Sequence, residues 1–296
     1  MSPPSFNLGI VACGQMGTAI LAGILSQDPD ANAPWNVKRI FVSVQTAASV
    51  SRLQNMFAQH LSRITIYQGD NLAVAEHSHV VILGCKPALM EGILGAEGMG
   101  DALNDHILVS VLAGKTTEMT RRAISDIEGR AGRVAPRVHV VRTMPNMAAR
   151  EHASMTVVSS PEDESDIEAV RVTRWLFDHV GKTHEIPESL FDLIGSLVGC
   201  SAAMFTVAVD GLLDQSVAGG LNRPAALKLV TQTLYGLAKL LEAGNHPSVL
   251  REEISSPGGS TIQGLMELDR QGVRSAYASA LAVTGERAKA LGSKEK

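Results

Sequence analysis

The chain has 296 residues, 45% hydrophobic and 19% charged, with a formal net charge of -4 at pH 7. This is a globular composition with enough apolar material for a sizeable core, which excludes a disordered chain. Its mild acidity supplies no basic face for nucleic acid or for an anionic membrane, and its length predicts two domains.

The N-terminal stretch has no basic region ahead of its apolar run, and that run leads straight into a glycine-containing turn. It reads as a first strand rather than a signal peptide. From residue 7 to about 145, short β-rich runs alternate with helix-like segments, the pattern of βαβ units around a parallel sheet. The strands are expected at Asn7 to Ala12, Arg39 to Val44, Arg63 to Tyr67, His79 to Leu83, His106 to Leu112 and Arg137 to Arg142. Crossover helices are expected at Gln15 to Ser26, Ala47 to Leu61, Asn71 to His77, Pro87 to Gly95 and Thr117 to Glu128. Met155 to Val158 reads as a further strand, and Pro161 to Glu164 as an acidic, solvated helix start.

After a turn at Glu185 to Pro187 the pattern changes. Residues 188 to 243 are rich in Leu, Ala, Val and Gly at helical spacing. The run Leu190 to Leu213 carries charge only at Asp192 and Asp210, so its helix is apolar almost all round and must be buried. A domain of this size cannot easily bury it alone, which predicts a homodimer, or a higher oligomer, formed through this part. The two acids and the small residues Gly195, Gly199 and Ser201 argue against a membrane span. The fold class is therefore an α/β N-terminal Rossmann domain with a mostly parallel, doubly wound sheet over residues 1–186. An all-α C-terminal dimerisation domain follows over 187–296.

Leu8 to Ile20 places strand, tight turn and helix start in the order of a dinucleotide fingerprint, G-x-G-x-x-G, with Ala12 in place of the first glycine. Gly14 allows close approach of the pyrophosphate and Gly17 close helix packing, while Ala12 fits readily at negative φ and poorly otherwise. The second strand ends Val42-Ser43-Val44-Gln45-Thr46 with no Asp or Glu to hold a ribose 2′-hydroxyl, and no acid occurs from Ala31 through Gly69. Lys38, Arg39, Arg52 and Arg63 lie in the same stretch. Ser43 or Thr46 is the expected donor to a 2′-phosphate, which makes NADPH the expected cofactor and NADH the less favoured one.

Cys13, Cys85 and Cys200 are odd in number and widely spaced, with no zinc-ligand pattern, and the nine histidines show none either. No metal is expected, and a reducing, cytoplasmic setting is.

The most specific segment is Ser256-Pro257-Gly258-Gly259-Ser260-Thr261-Ile262, followed by Gly272-Val273-Arg274-Ser275-Ala276. Together with Gly14-Gln15-Met16, Leu83 to Pro87, Ala113-Gly114, Arg142 to Asn146 and His246 to Leu250, it resembles the pyrroline-5-carboxylate reductase family, in its fungal type, over essentially the whole chain. The resemblance implies reduction of the cyclic imine 1-pyrroline-5-carboxylate to L-proline by direct hydride transfer. It implies a cofactor site lined by Val11, Ala12, Gly14, Gln15, Met16, Ser43, Asn71, Cys85, Lys86, Pro87, Ala113 and Gly114. A substrate site follows at Glu188, Thr233, Gly258, Gly259, Ser260 and Thr261, with Thr233 bonding the ring nitrogen as the catalytic residue. Physically, the Pro257 to Thr261 turn ahead of a helix exposes N–H groups suited to a carboxylate.

The sequence departs from the family pattern at Ala12 and at Gly199-Cys200-Ser201-Ala202-Ala203, where the family carries Gly-Ser-Gly-Pro-Ala. These departures keep open a paralogue acting on a substituted pyrroline or a piperideine carboxylate, and a catalytically impaired nucleotide-binding regulatory protein. A β-hydroxyacid dehydrogenase needs a catalytic Lys after the domain junction, and Lys228 and Lys239 lack its motif.

Overall fold

A computed structural model describes residues 4–26, 33–130 and 135–293; Met1 to Pro3, at the head of the expected first strand's lead-in, lie outside them. By its backbone contacts the chain falls into two compact units, one of residues 1–199 with 285–296 and one of residues 200–284. The contact boundary between the two units falls inside the helix Phe191–Ala218.

The first unit carries eight strands, β1 (Ser5–Val11), β2 (Asn36–Val44), β3 (Ile64–Gln68), β4 (Val80–Leu83), β5 (Ile107–Ser110), β6 (His139–Met144), β7 (Ser154–Ser159) and β8 (Gly181–Ile186). Its helices are α1 (Gln15–Leu25), α2 (Ala47–Met56), α3 (Asn71–Glu76), α4 (Met90–Leu94), α5 (Met99–Leu103), α6 (Thr117–Arg130), α7 (Ile167–Asp178) and the start of α8 (Phe191–Ala218). The strands form one sheet in the order β3-β2-β1-β4-β5-β6-β7-β8. All neighbours are parallel except β6 and β7. This is a doubly wound sheet whose order reverses beside β1, where the crevice for a ligand opens at the strands' carboxyl ends.

Burial follows from the sequence. Leu8, Ile10, Ile40, Val42 and Ile82 pack with Ile20, Leu21 and the α7 residues Leu176 and Phe177 on one face. Val11, Phe41, Val81, Leu83 and Leu108 pack with residues of α3 to α6 on the other. Strands covered on both faces are apolar on both.

The sequence missed β8, reading only a turn at its end. Its residues Lys182, Thr183, His184 and Glu185 are polar because β8 is an edge strand, and alternate positions face water. The expected helix at 87–95 splits into a 3-10 turn at Pro87–Leu89 and α4. The acidic start at 161–164 leads into α7, with Asp163 accepting the N–H of Ser165 at 2.7 Å.

One lateral row crosses the sheet at its carboxyl edge. Val11 follows the Ile10–Val42 pair and so lies level with Ser43; it pairs with Leu83, Leu83 with Ser110, and Ser110 with Arg142. The N–H of Arg142 meets the Ser159 hydroxyl at 3.0 Å, and Ser159 pairs with Ile186. Register partners project to the same face, so Ser43, Val11, Leu83, Ser110 and Arg142 all point toward the α3 to α6 layer.

The second unit is helical: the remainder of α8, then α9 (Arg223–Glu242), α10 (Pro247–Ile254), α11 (Ser260–Arg270) and α12 (Val273–Ser293), which ends in the first unit. The Tyr277 hydroxyl donates to Met204 O at 3.3 Å, and its ring stands 6.2 Å from that of Phe205. Among its described residues, Leu213, Ala226 and Leu250 are the buried hydrophobics. Phe205, Val207 and Leu212 are more than half exposed, so the apolar helix expected to be buried is not covered within this chain. Residues 188–218 are long and apolar enough to cross a membrane by length and composition.

Candidate active site

The first expected loop lies at the end of β1. Ala12 has φ of +56°. The negative φ that would have made it an easy substitute for glycine is not what the loop uses, because the chain must turn within two residues, with Gly14 N–H bonding Ala12 O at 2.7 Å. The first intrahelical bond of α1 runs from Thr18 N to Gly14 O at 2.9 Å, and no side chain caps this terminus. The N–H groups of Gln15, Met16 and Gly17 precede that bond and face outward as an anion site. A Cβ on Gly14 would meet no atom closer than 4.0 Å, so the space above it is open to a ligand. A Cβ on Gly17 would press on Ile10 and Cys13 at 3.1 and 3.2 Å, which is the tight helix–strand contact expected there.

Ser43 is placed in the site but not in the expected role. It is fully buried, accepts the Ala12 N–H at 3.0 Å and donates to Asn71 Oδ1 at 2.7 Å. Its hydroxyl is committed to joining three loops and is withdrawn from a 2′-phosphate. Thr46 accepts the N–H of Ser49 at 3.2 Å as the cap of α2. Arg52 is an exposed cation beside the site, its guanidinium donating to Thr18 Oγ1 at 3.2 Å over the first turn of α1.

Gly84 N–H bonds Val11 O at 2.9 Å, which brings the loop Gly84 to Pro87 beside the β1 loop. Burial pushes the Cys85 thiol up to about 11, and burial does the same to Cys13; neither is a nucleophile. Lys86 is exposed, and Pro87 starts the following turn. After β5, Gly114 takes φ of +73°, and Lys115, 2% exposed, pairs with Glu91 at 2.9 Å. Val11, Ala12, Gly14, Gln15, Met16, Ser43, Asn71, Cys85, Lys86, Pro87, Ala113 and Gly114 thus stand together along the carboxyl edge of β1, β2, β4 and β5.

A residue given no role from the sequence completes this edge. Arg142, near the end of β6 and 1% exposed, bonds Glu188 Oε1 at 2.9 Å and Asp192 Oδ1 at 2.6 Å, with its guanidinium 4.1 Å from the Phe191 ring centre. Burial raises the Glu188 carboxyl above its ordinary range; Arg142 and the Thr117 N–H oppose that, and Asp192 adds to it. The signal in the sequence was one charge in the otherwise apolar strand around Val140 and Val141.

In the second unit, the Ser256 to Thr261 loop has the expected form. Gly258 takes φ of +71°, Gly259 N–H bonds Ser256 O at 2.9 Å, and no side chain caps α11. A Cβ on Gly259 would meet Ser256 Oγ at 2.6 Å and Ser256 O at 3.0 Å, so a larger residue there crowds the turn. Ser260 and Thr261 are exposed at the helix start. Thr233 sits mid-helix in α9, exposed, with its hydroxyl donating to Leu229 O at 3.0 Å. At the departure from the family pattern, α8 runs unbroken through Gly199 to Ala203. Gly195 and Gly199 lie over Met144, where a Cβ would meet its side chain at 3.6 and 3.7 Å.

Residues 188–291 match the family described as pyrroline-5-carboxylate reductase dimerisation, and residues 7–114 match that of NADP oxidoreductase, coenzyme F420-dependent. A pyrroline-5-carboxylate reductase of Lophium arboricola is 32% identical, covering 93% of this chain and 90% of its own. A delta-1-pyrroline-5-carboxylate reductase of Curvularia clavata is 35% identical, covering 95% and 90%. The crystal structure of a Plasmodium falciparum pyrroline carboxylate reductase with NADP bound superposes with a TM-score of 0.79 at 22% identity, covering 97% of this chain and 98% of that one. With relatives of this identity matching end to end over a shared fold, the chain belongs to the pyrroline-5-carboxylate reductase family.

Proposed function

We propose that this protein reduces the C=N bond of 1-pyrroline-5-carboxylate to L-proline with NADPH, the last step of proline biosynthesis. The observation that carries the reading is the agreement of relatives of that activity along more than nine-tenths of the chain. The chain's own residues fit the cofactor: an uncapped α1 terminus, open space above Gly14, and no carboxylate at the end of β2. When bound, the nicotinamide supplies hydride to the imine carbon. The residues from Val11 to Gly114 named above hold it, with Arg52 taking the place of Ser43 toward the 2′-phosphate.

Gly258, Gly259, Ser260 and Thr261 bind the substrate carboxylate at the uncapped start of α11. Thr233 accepts from the protonated ring nitrogen. Its own proton is spent on Leu229 O, which leaves the oxygen's lone pairs as acceptors. The site has to orient the ring about 3 to 3.5 Å from the hydride donor.

The exposed apolar surface of α8 and α9 supports a homodimer through the helical region, residues 187–296. The three free cysteines support a cytoplasmic setting.

The test follows NADPH absorbance with pyrroline-5-carboxylate, piperideine carboxylates and methylated pyrrolines offered side by side. Fastest turnover of pyrroline-5-carboxylate is expected. Preference for another ring assigns the protein to a paralogous imine reductase, a reading favoured by the departure from the family pattern at Gly199 to Ala203. Binding of NADPH with no imine reduced makes it a regulatory protein.

A further inference from the structure

The Arg142 cluster holds one guanidinium against two carboxylates. Arg142 is nearly fully buried, whereas the Glu188 and Asp192 side chains are 29% and 24% exposed. The fork geometry serves both acids at once, one through each terminal nitrogen. Two atoms are left over: Arg142 Nε, a donor, and Glu188 Oε2, an acceptor, are both buried and have no hydrogen-bond partner among the described residues. Buried polar atoms are rarely left so where packing alone sets the arrangement. The cluster lies at the carboxyl edge of the sheet, level with Val11 and Leu83 of the cofactor crevice, and against Thr117 at the start of α6.

Resting on the reductase reading above, we propose that Arg142 is a positioning residue that keeps Glu188 ionised, so that the cluster adds a net negative charge at the carboxyl edge beside the cofactor crevice and favours an imine brought to the nicotinamide in its protonated, iminium form. An iminium carbon accepts hydride more readily than a neutral imine carbon, and the proton stays on the nitrogen as the C–H bond forms. One carboxylate would be neutralised by the guanidinium; the second makes the difference. The charged and polar groups that meet Glu188 are Arg142 from β6, Asp192 from α8 and the Thr117 N–H from α6. Arg142 and Thr117 favour its ionised form, and Asp192 opposes it. The Thr117 hydroxyl is itself bonded to Glu162 at 2.6 Å.

The opposed effects of Arg142 and Asp192 supply the test. The full chain labelled with 13C at glutamate carboxyls is titrated by NMR without substrate or cofactor, the Glu188 signal being assigned by its loss in Glu188→Gln. Arg142→Met should move the Glu188 midpoint up by about one pH unit or more, and Asp192→Asn should move it down. The acid limb of the kcat/KM profile should shift in the same direction in each variant, and in Asp192→Asn, whose cluster carries no net charge, the plateau of kcat/KM should fall as well. Arg142→Lys, which keeps the charge and loses the fork, should retain a near-native limb while KM rises about tenfold, the scale of one charge-assisted hydrogen bond. A merely structural role moves stability and leaves the limb in place. If Arg142→Met does not fold, the Asp192→Asn and Arg142→Lys arms decide. A Glu188 midpoint indifferent to these changes, or a limb that stays fixed while the midpoint moves, overturns the proposal. Absence of turnover in the unaltered protein would instead strike at the reductase reading, since the titration needs no turnover.

Discussion

The main-chain N–H of Ala12 donates to the buried hydroxyl of Ser43 at 3.0 Å, and this bond locks a non-glycine residue at φ of +56° where the β1 strand enters its turn. A left-handed L-residue is disfavoured by roughly 1–2 kcal/mol. Glycine removes that strain but gives the unfolded chain more freedom. Ala12→Gly should therefore stabilise the fold by only about 0.5–1 kcal/mol, a rise in Tm of about 1–4 °C for a chain of this size. Ala12→Val should lower Tm. Thermal unfolding followed by circular dichroism checks both.

The same bond separates two accounts of cofactor choice. Ser43→Ala strands the Ala12 N–H and the Asn71 Oδ1, at a cost of about 1–3 kcal/mol, and should raise the KM for NADPH and NADH alike. Arg52→Gln should lower kcat/KM for NADPH about tenfold while sparing NADH, on the scale of one lost charge-assisted hydrogen bond. Kinetics with both dinucleotides on each variant separate the roles. A drop in NADPH preference on Ser43→Ala would return the 2′-phosphate to Ser43.

Thr233→Val removes the acceptor and the bond to Leu229 O together, while keeping the side chain's volume. Loss of the Leu229 bond at an exposed helix position costs little. A fall in kcat/KM of about tenfold with Tm unchanged is expected. Native kinetics would take Thr233 out of the mechanism.

Acid stability should depend on His106. It is half-buried at the start of β5, its ring 5.9 Å from that of His79, and its pKa is lowered first by burial and then by that neighbour. The unfolded chain binds a proton near pH 6.5, before the folded one does. The stability this contributes is present above that pH and is lost as pH falls toward the folded value. Tm should drop as pH falls below about 6.5, and His106→Gln should flatten that drop. An identical slope in both proteins would clear His106 of the effect.

Much of the first unit could be read from apolar runs such as Ile10 to Ala12 and Val80 to Leu83, because strands buried on both faces must be apolar throughout. Strand β8 escaped, since an edge strand with Lys182, His184 and Glu185 carries no such run. Two glycines were legible too, Gly17 by its close helix packing and Gly258 by its turn ahead of α11, where it takes φ of +71°. The Ser43 hydroxyl was not, because a serine at a strand end looks the same whether it meets a ligand or its own neighbours. Arg142 was invisible for a related reason. Its partners lie 46 and 50 residues away, and only the sheet's register brings them within reach.

The lateral row from Ser43 through Val11, Leu83 and Ser110 to Arg142 also sets a timescale. Each of its strands is tied to its neighbours by backbone ladders in the interior of the sheet, so the distance between the nucleotide crevice and the Arg142 cluster cannot breathe without breaking several ladders together. Amide protons along this row should be among the last in the chain to exchange with deuterated water, on the timescale of global unfolding. The loops beyond the row are free to respond to ligands in far shorter times, over a base that holds still.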